Sequence, residues 1–171
     1  IKRRWYPAAE IARIGEGPWG QGVTAKTLAE APPPRPPAAT PVEHLSLLKG
    51  FQAELLYSVP RDEQGSWVAL TVDSQGRLIT GDQSGGLYRL TPPPPGGTIH
   101  ASQVEKIDVD VHGPHGLLYA FNSLDVMRNG GGKEKAGLYR VRDTDGDDRF
   151  DKVELLRLIA GSGEHGTHSA T

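Results

Sequence analysis

Short apolar runs separated by turn residues fill the chain from Phe51 onward. Turn signals recur roughly every eight to twelve residues, which is the spacing expected of β-sheets. These turns are rich in Gly, Asp and Ser, residues that tolerate positive φ or hydrogen-bond to their own backbone. The pattern therefore predicts strands joined up and down at about 51–58, 67–73, 78–82, 86–91, 104–110, 116–122, 124–129, 137–142 and 152–159.

Two sequence motifs repeat. GLYRL at 86–90 recurs as GLYRV at 137–141, each copy in the third strand of a group of four. Independently, HGPH at 112–115 recurs as HGTH at 165–168. A single four-stranded sheet cannot bury both faces until neighbours stack on it. The copies of each motif lie about 50 residues apart along the chain. A repeat of that length with four strands per unit predicts an all-β fold of four-stranded antiparallel β-propeller blades, incomplete in this chain.

The chain divides into three predicted parts. Residues 1–30 form an N-terminal segment of unknown role, 31–49 a Pro-rich linker, and 50–171 the first blades of the propeller. The linker holds the run APPPRPPAATP, which favours an extended polyproline spacer. A stiff tether is the favoured interpretation, and an SH3-type ligand is the alternative. Because the sequence opens on Ile1 and stops without a turn or cap, we expect a segment of a longer protein.

Composition narrows the classes of function. A formal charge of -2 provides no basic field for nucleic acid or an anionic membrane. The chain has no Cys, which excludes a disulfide, a thiolate metal site and a C-x-x-C-H haem attachment within it. It also has no apolar run long enough to span a membrane and no signal peptide in its first thirty positions. Missing G-x-S-x-G and phosphate-binding motifs argue against a hydrolase or a nucleotide enzyme.

One predicted turn, DTDGDDRFD, carries alternating acidic residues. Calcium takes six to eight oxygen ligands, and alternating Asp residues around a Gly-containing turn supply them at short range. A backbone carbonyl near Arg149 could supply another ligand. The predicted metal ligands, at positions 1, 3, 5 and 9 of the loop, are Asp143, Asp145, Asp147 and Asp151.

This loop departs from the EF-hand pattern at one point. Asp148 takes position 6, where glycine normally makes the turn, and Gly146 takes position 4. Asp tolerates the left-handed conformation, so the departure weakens the match without cancelling it. The alternative is an acidic hairpin tip solvated by water.

The repeated H-G-x-H motif suggests a pocket. Each copy precedes a predicted innermost strand, so His112, His115, His165 and His168 would gather at the mouth of the propeller channel. Imidazole can take a proton near neutral pH or bind a transition metal. The alternative is a structural role in which repetition merely reflects copying of a blade. Arg89 and Arg140 also repeat, and we expect each to pair with a nearby carboxylate.

The chain from about residue 50 to 171 resembles a known family. Its motifs are GFQAELL, WVALTVDSQGRLITGDQSGGLYRL, HGLLYAFNSLDVMRN and GLYRVRDTDGDDRFDKVELL, followed by EHGTH. Together they resemble the N-terminal β-propeller of planctomycete-type membrane-bound dehydrogenase and haem-binding-domain proteins. Those proteins are similar in fold to the soluble quinoprotein sugar dehydrogenases.

This resemblance implies an exported, extracytoplasmic oxidoreductase that acts on a sugar or an alcohol. It implies calcium and pyrroloquinoline quinone as cofactors, with haem only in a region outside this chain. His115 and His168 are then the candidate catalytic bases, and the rest of the parent chain closes the propeller. We expect the fragment alone to be inactive. The alternative is a non-enzymatic propeller scaffold that binds protein or carbohydrate.

Overall fold

The computed structural model describes residues 39–130 and 135–159. The chain divides into two units between Pro36 and Pro37, and every described residue belongs to the second. The described residues contain three short helical segments: the 3₁₀ turns Val42–His44 and Ala101–Gln103, and helix α1, Arg61–Gln64. Within the described residues, no helix has the length and apolar character needed to cross a membrane.

In the part of the chain that the structure describes, eight strands form two four-stranded antiparallel sheets, each with its strands in chain order. The first sheet comprises β1 (Trp67–Val72), β2 (Leu78–Asp82), β3 (Leu87–Leu90) and β4 (Glu105–Ile107). The second comprises β5 (Pro114–Ala120), β6 (Ser123–Arg128), β7 (Gly137–Arg142) and β8 (Lys152–Leu158). The predicted all-β class and up-and-down connectivity are confirmed, and each GLYR motif does form a third strand.

The strand predicted at about 51–58 is wrong, because this segment joins neither sheet. A strand requires a ladder of backbone hydrogen bonds, whereas here Ile99 donates a single one, 2.8 Å long, to the Leu56 carbonyl. Burial of side chains does not hold this segment in an extended strand either, since Phe51 and Leu55 are exposed. The apolar run that suggested a strand therefore lies along the surface.

The two sheets pack face to face. Ile79 and Leu87 of the first sheet and Leu124, Val126 and Val141 of the second are fully buried in one apolar cluster. Side chains alternate between the faces of a strand, so each sheet contributes one face to this core. Burial of apolar side chains in this layer is the main source of stability, at roughly 1.5–3 kcal/mol for each large side chain.

A glycine brings the two sheets close together beside this core. A Cβ built on Gly81 of β2 would lie 2.2 Å from Cγ of Pro114, the first residue of β5. That distance is far below van der Waals contact, so any side chain at position 81 would push the sheets apart. The glycine thus permits the close approach of β2 and β5.

We predict that Gly81→Ala destabilises the protein by about 1–3 kcal/mol, since an added methyl group overpacks this contact. Gly86→Ala is the matched control, because a Cβ there would meet only Lys106 Cε, at 3.9 Å. Urea unfolding of both variants measures the effect. Equal stability of the two variants would contradict the close approach.

Candidate metal centre

The acidic loop, residues 143–151, joins β7 to β8 as predicted. Asp143, Asp145 and Asp151 each offer a carboxylate oxygen, and the three oxygens lie within 4.8 Å of one another. Asp143 is half-buried, and the other two are exposed. Such a group of carboxylates has the chemistry that a hard cation such as calcium requires.

Hydrogen bonds from its own backbone shape the acidic loop. The Asp143 carboxylate accepts from the Gly146 N–H at 2.7 Å and from the Asp148 N–H at 2.8 Å. These bonds, that of Gly146 above all, hold the pKa of Asp143 below its usual value. Asp151 accepts from the backbone N–H and the hydroxyl of Thr144, at 3.0 and 2.6 Å. Asp143 and Asp151 therefore fix the two ends of the loop.

The fourth predicted ligand, Asp147, lies outside the group of three carboxylates. Its Oδ1 accepts instead from the Arg149 N–H at 2.8 Å, a local turn within the loop. Its role as a metal ligand stays a prediction.

Asp148 connects the acidic loop to the first sheet. Its φ of 69° is the left-handed conformation expected at this position. Arg77 donates to both carboxylate oxygens, with Nη2 2.7 Å from Oδ1, and Gln75 donates at 3.1 Å. Arg89 donates from both Nη atoms to the Asp148 carbonyl, each at 3.1 Å. We call the contact of Asp148 with Arg77 and Arg89 the Asp148 clamp.

Other carboxylates orient both arginines of the clamp. Arg77 Nε lies 2.7 Å from Oδ2 of Asp73, whose side chain is buried. Arg89 makes two bonds to Glu105, at 2.9 and 3.1 Å. Because Arg77 hydrogen-bonds to it, the Asp148 carboxylate has a pKa below its usual value, and the pKa of Arg77 is raised in turn.

The arginine pairing expected from the sequence is confirmed in both repeats. Arg89 pairs with Glu105, and Arg140 pairs with Asp125 at 2.8 Å. The Asp148 clamp itself was missed. The sequence pattern marks Asp148 only as a residue in the place of glycine, and its partner Arg77 lies 71 residues away along the chain. The one available signal was a non-glycine residue at a left-handed position, which implies a use for its side chain.

Solvent-open clefts flank the acidic loop on both sides. One, of about 470 Å³, is lined by β4 residues and by Asp145, Asp147 and Asp151. The other, of about 310 Å³, lies between the turn that follows β1 and residues Asp143 and Asp148. A hydrated cation can therefore reach the carboxylates without any movement of the sheets.

The first H-G-x-H motif lies where the chain passes from one sheet to the next. Gly113, with φ 65°, donates to the Gly85 carbonyl at 2.8 Å and accepts from the Asn129 N–H at 3.2 Å. His112 is half-exposed, with Nδ1 3.7 Å from Asp110. His115 is half-buried at an irregularity near the start of β5. His165 and His168 lie outside the described residues, so the gathering of four histidines stays a prediction.

Residues 39–130 and 135–159 thus form an all-β arrangement of two four-stranded antiparallel sheets, with an acidic loop at the contact between them. No protein-family model, no curated protein and no solved structure matches this chain.

We predict that a double-mutant cycle of Arg77→Gln and Asp148→Asn gives a coupling of about 1 kcal/mol in unfolding free energy. The pair is bidentate, and Arg77 is largely buried, which raises the coupling above that of an ordinary surface pair. The control cycle uses Arg142 and Glu154, a monodentate pair with both side chains about 40% exposed. A coupling no larger than in this control would contradict the Asp148 clamp.

A second prediction concerns the loss of folding stability at acidic pH. The pKa values of Asp143 and Asp148 are lowered in the folded chain. Their contribution to stability is therefore complete above the ordinary Asp pKa of about 3.9 and is lost as the pH falls through the folded values. Urea midpoints measured across this range should fall less steeply for Asp148→Asn than for the native chain. An unchanged slope would show that the pairing of Asp148 does not stabilise the fold.

Proposed function

We propose that the two sheets are consecutive blades of a β-propeller and that the acidic loop binds calcium. The observation that supports the propeller is the way the sheets stack. The face of the first sheet that carries Leu87 and Arg89 packs on the face of the second that carries Tyr139 and Val141. Contact between unlike faces lets the same contact recur from unit to unit, as blades of a propeller require.

Repeated local structure supports the same proposal. The register of β1 against β2 shifts between Trp67 and Ala69, and that of β5 against β6 shifts between Pro114 and Gly116. The irregularity thus falls near the start of the first strand in both units. Such irregularities bend a strand and raise its twist, so their recurrence favours two copies of one blade.

Calcium binding rests on the three clustered carboxylates. Hydrogen bonds to Asp143 and Asp151 leave lone pairs on their oxygens for a cation, and water can complete the ligand set. Bound calcium would neutralise the repulsion among Asp143, Asp145 and Asp151. The loop that carries Asp148 would then be held in the conformation that reaches Arg77 and Arg89, so we assign calcium a structural role.

For the whole protein we propose an exported oxidoreductase that acts on a sugar or an alcohol, with pyrroloquinoline quinone as its redox cofactor. The sequence resemblance over residues 50–171 supports this activity. His115 and His168 are the proposed bases, and the quinone would accept the hydride of the substrate. The second candidate is a propeller scaffold without catalytic activity. The solvent-open clefts beside the acidic loop favour this candidate, because they offer surfaces on which a partner could bind.

We predict that calcium raises the thermal midpoint of the chain relative to chelator. At a calcium concentration about 100 times Kd the gain is about 2.7 kcal/mol, or roughly 5–10 °C for a chain of this size. Magnesium should give a smaller shift, because it demands near-ideal octahedral geometry. An unchanged midpoint would identify the loop as a bare acidic turn.

Two substitutions make the calcium test specific. Asp145→Asn should reduce the calcium shift, because it removes a ligand charge while its main loop contact is only a 3.3 Å bond from the Asp147 N–H. Asp62→Asn, at an exposed position in α1, should leave the shift unchanged. Equal shifts in both variants would place the calcium effect elsewhere in the protein.

Dye reduction by the full-length protein, supplied with quinone and calcium, tests the oxidoreductase activity. We expect turnover with at least one member of a panel of sugars and alcohols, and loss of turnover in His115→Ala with the calcium shift retained. Absence of turnover across the panel would favour the scaffold.

A further inference from the structure

The hairpin that joins β5 to β6 ends in an aromatic side chain. Ala120 pairs with Ser123, so Phe121 and Asn122 form a two-residue turn. Both residues have positive φ, 52° and 53°, as a type I′ turn requires. Asn tolerates this left-handed conformation, whereas a bulky residue such as Phe rarely adopts it. The conformation of the turn therefore does not explain why position 121 holds Phe.

Packing does not explain Phe121 either. Its side chain is 97% exposed, more than any other large apolar side chain among the described residues. It removes almost no apolar surface from water and so adds almost nothing to stability. A bulky residue in a strained conformation without a packing gain indicates a use outside the fold. In the proposed propeller this position stays open, because blades cover one another through their faces and leave the hairpin tips in solvent.

Negative charge lies beside the hairpin tip. Asn122, the second residue of the turn, lines the cleft of about 310 Å³ together with Asp143 of the acidic loop. The acidic loop carries five Asp residues and one Arg. With Asp148 paired to Arg77, four carboxylates remain against the single positive charge of Arg149. The surface next to Phe121 therefore attracts cations and repels anions.

An aromatic face and a group of carboxylates attract the same chemical group. The guanidinium of arginine or the ammonium of lysine binds to the face of an aromatic ring and also pairs with carboxylates. Arginine suits both contacts better, because its planar group stacks on rings and donates to two carboxylate oxygens at once. A neutral ligand would use the ring alone, and an anionic ligand would be repelled by the acidic loop. Charge complementarity thus favours a ligand that carries several arginines.

We propose that the tip at Phe121 and the cleft beside it bind an extended, arginine-rich segment of a partner protein. One guanidinium stacks on the Phe121 ring, and another enters the cleft toward Asp143. Calcium bound to the acidic loop would neutralise part of the charge that attracts this segment, so calcium and the segment compete. Only this competition rests on the proposed calcium site, because the binding surface itself needs neither calcium nor redox activity.

Fluorescence anisotropy with a labelled nona-arginine peptide, at low salt and with chelator, tests the proposal. The native chain should bind the peptide, and added salt should weaken binding because the charges are exposed. Phe121→Leu keeps an apolar side chain but removes the ring, so Kd should rise about two- to fivefold, the equivalent of one exposed cation–π contact. Phe121→Tyr should bind like the native chain. The matched control is Phe51→Leu, at a 70% exposed position before β1, which should leave Kd unchanged.

A stability measurement separates a binding role of Phe121 from a structural one. Phe121→Asn should raise the thermal midpoint, because Asn tolerates the left-handed conformation. The same variant should weaken peptide binding as much as Phe121→Leu does. A thermal midpoint below that of the native chain would show that Phe121 stabilises the fold, and this result would overturn the argument for a binding role.

Other results would also overturn the proposal. Equal Kd values for Phe121→Leu and the native chain would place the peptide on the acidic loop alone, and equal binding of nona-glutamate would show that charge does not select the ligand. Binding to phosphatidylserine vesicles that depends on Phe121, without binding of the peptide, would identify a membrane as the partner.

The calcium test and the peptide test can fail independently. Calcium that raises the thermal midpoint but leaves peptide binding unchanged would overturn the competition between them. Peptide binding that depends on Phe121, in a chain whose thermal midpoint does not respond to calcium, would support the binding surface and overturn the calcium site alone.

Discussion

The contact of Asp148 with Arg77 and Arg89 links the second sheet to the first at the edge of their shared core. Asp148 adopts a left-handed conformation that glycine would adopt at a lower cost in free energy. Glycine, however, would lack the carboxylate that binds Arg77, and the Asp148 carbonyl also binds Arg89 of the other sheet. The same loop carries the three clustered carboxylates. Packing between the sheets and the proposed cation binding therefore depend on one loop conformation.

That contact explains why the chain stacks its sheets through unlike faces. Apolar side chains alone would allow two sheets to slide or to turn over, because burial is not directional. The Asp148 clamp at one edge of the core and the approach of Gly81 to Pro114 beside it fix a single arrangement. Repetition of that arrangement from unit to unit is what a propeller requires.

Local sequence patterns predicted most of this fold. Alternation and turn residues located the eight strands, and the GLYR repeat identified the third strand of each unit. The strand expected at 51–58 was wrong because an apolar run does not reveal whether a neighbouring edge offers backbone partners. The acidic loop was found from its spacing, and its left-handed residue was expected. The partner of Asp148 was not predicted, because Arg77 is distant in sequence and meets Asp148 only through the stacking of the sheets.

Native-state hydrogen exchange tests most directly whether the two sheets form one cooperative unit. Amides in the central strands β2 and β6 should exchange with the same opening free energy and the same dependence on denaturant, since neither sheet buries its core face without the other. Slow exchange in one sheet alongside a separate, lower-energy opening of the other would contradict the account.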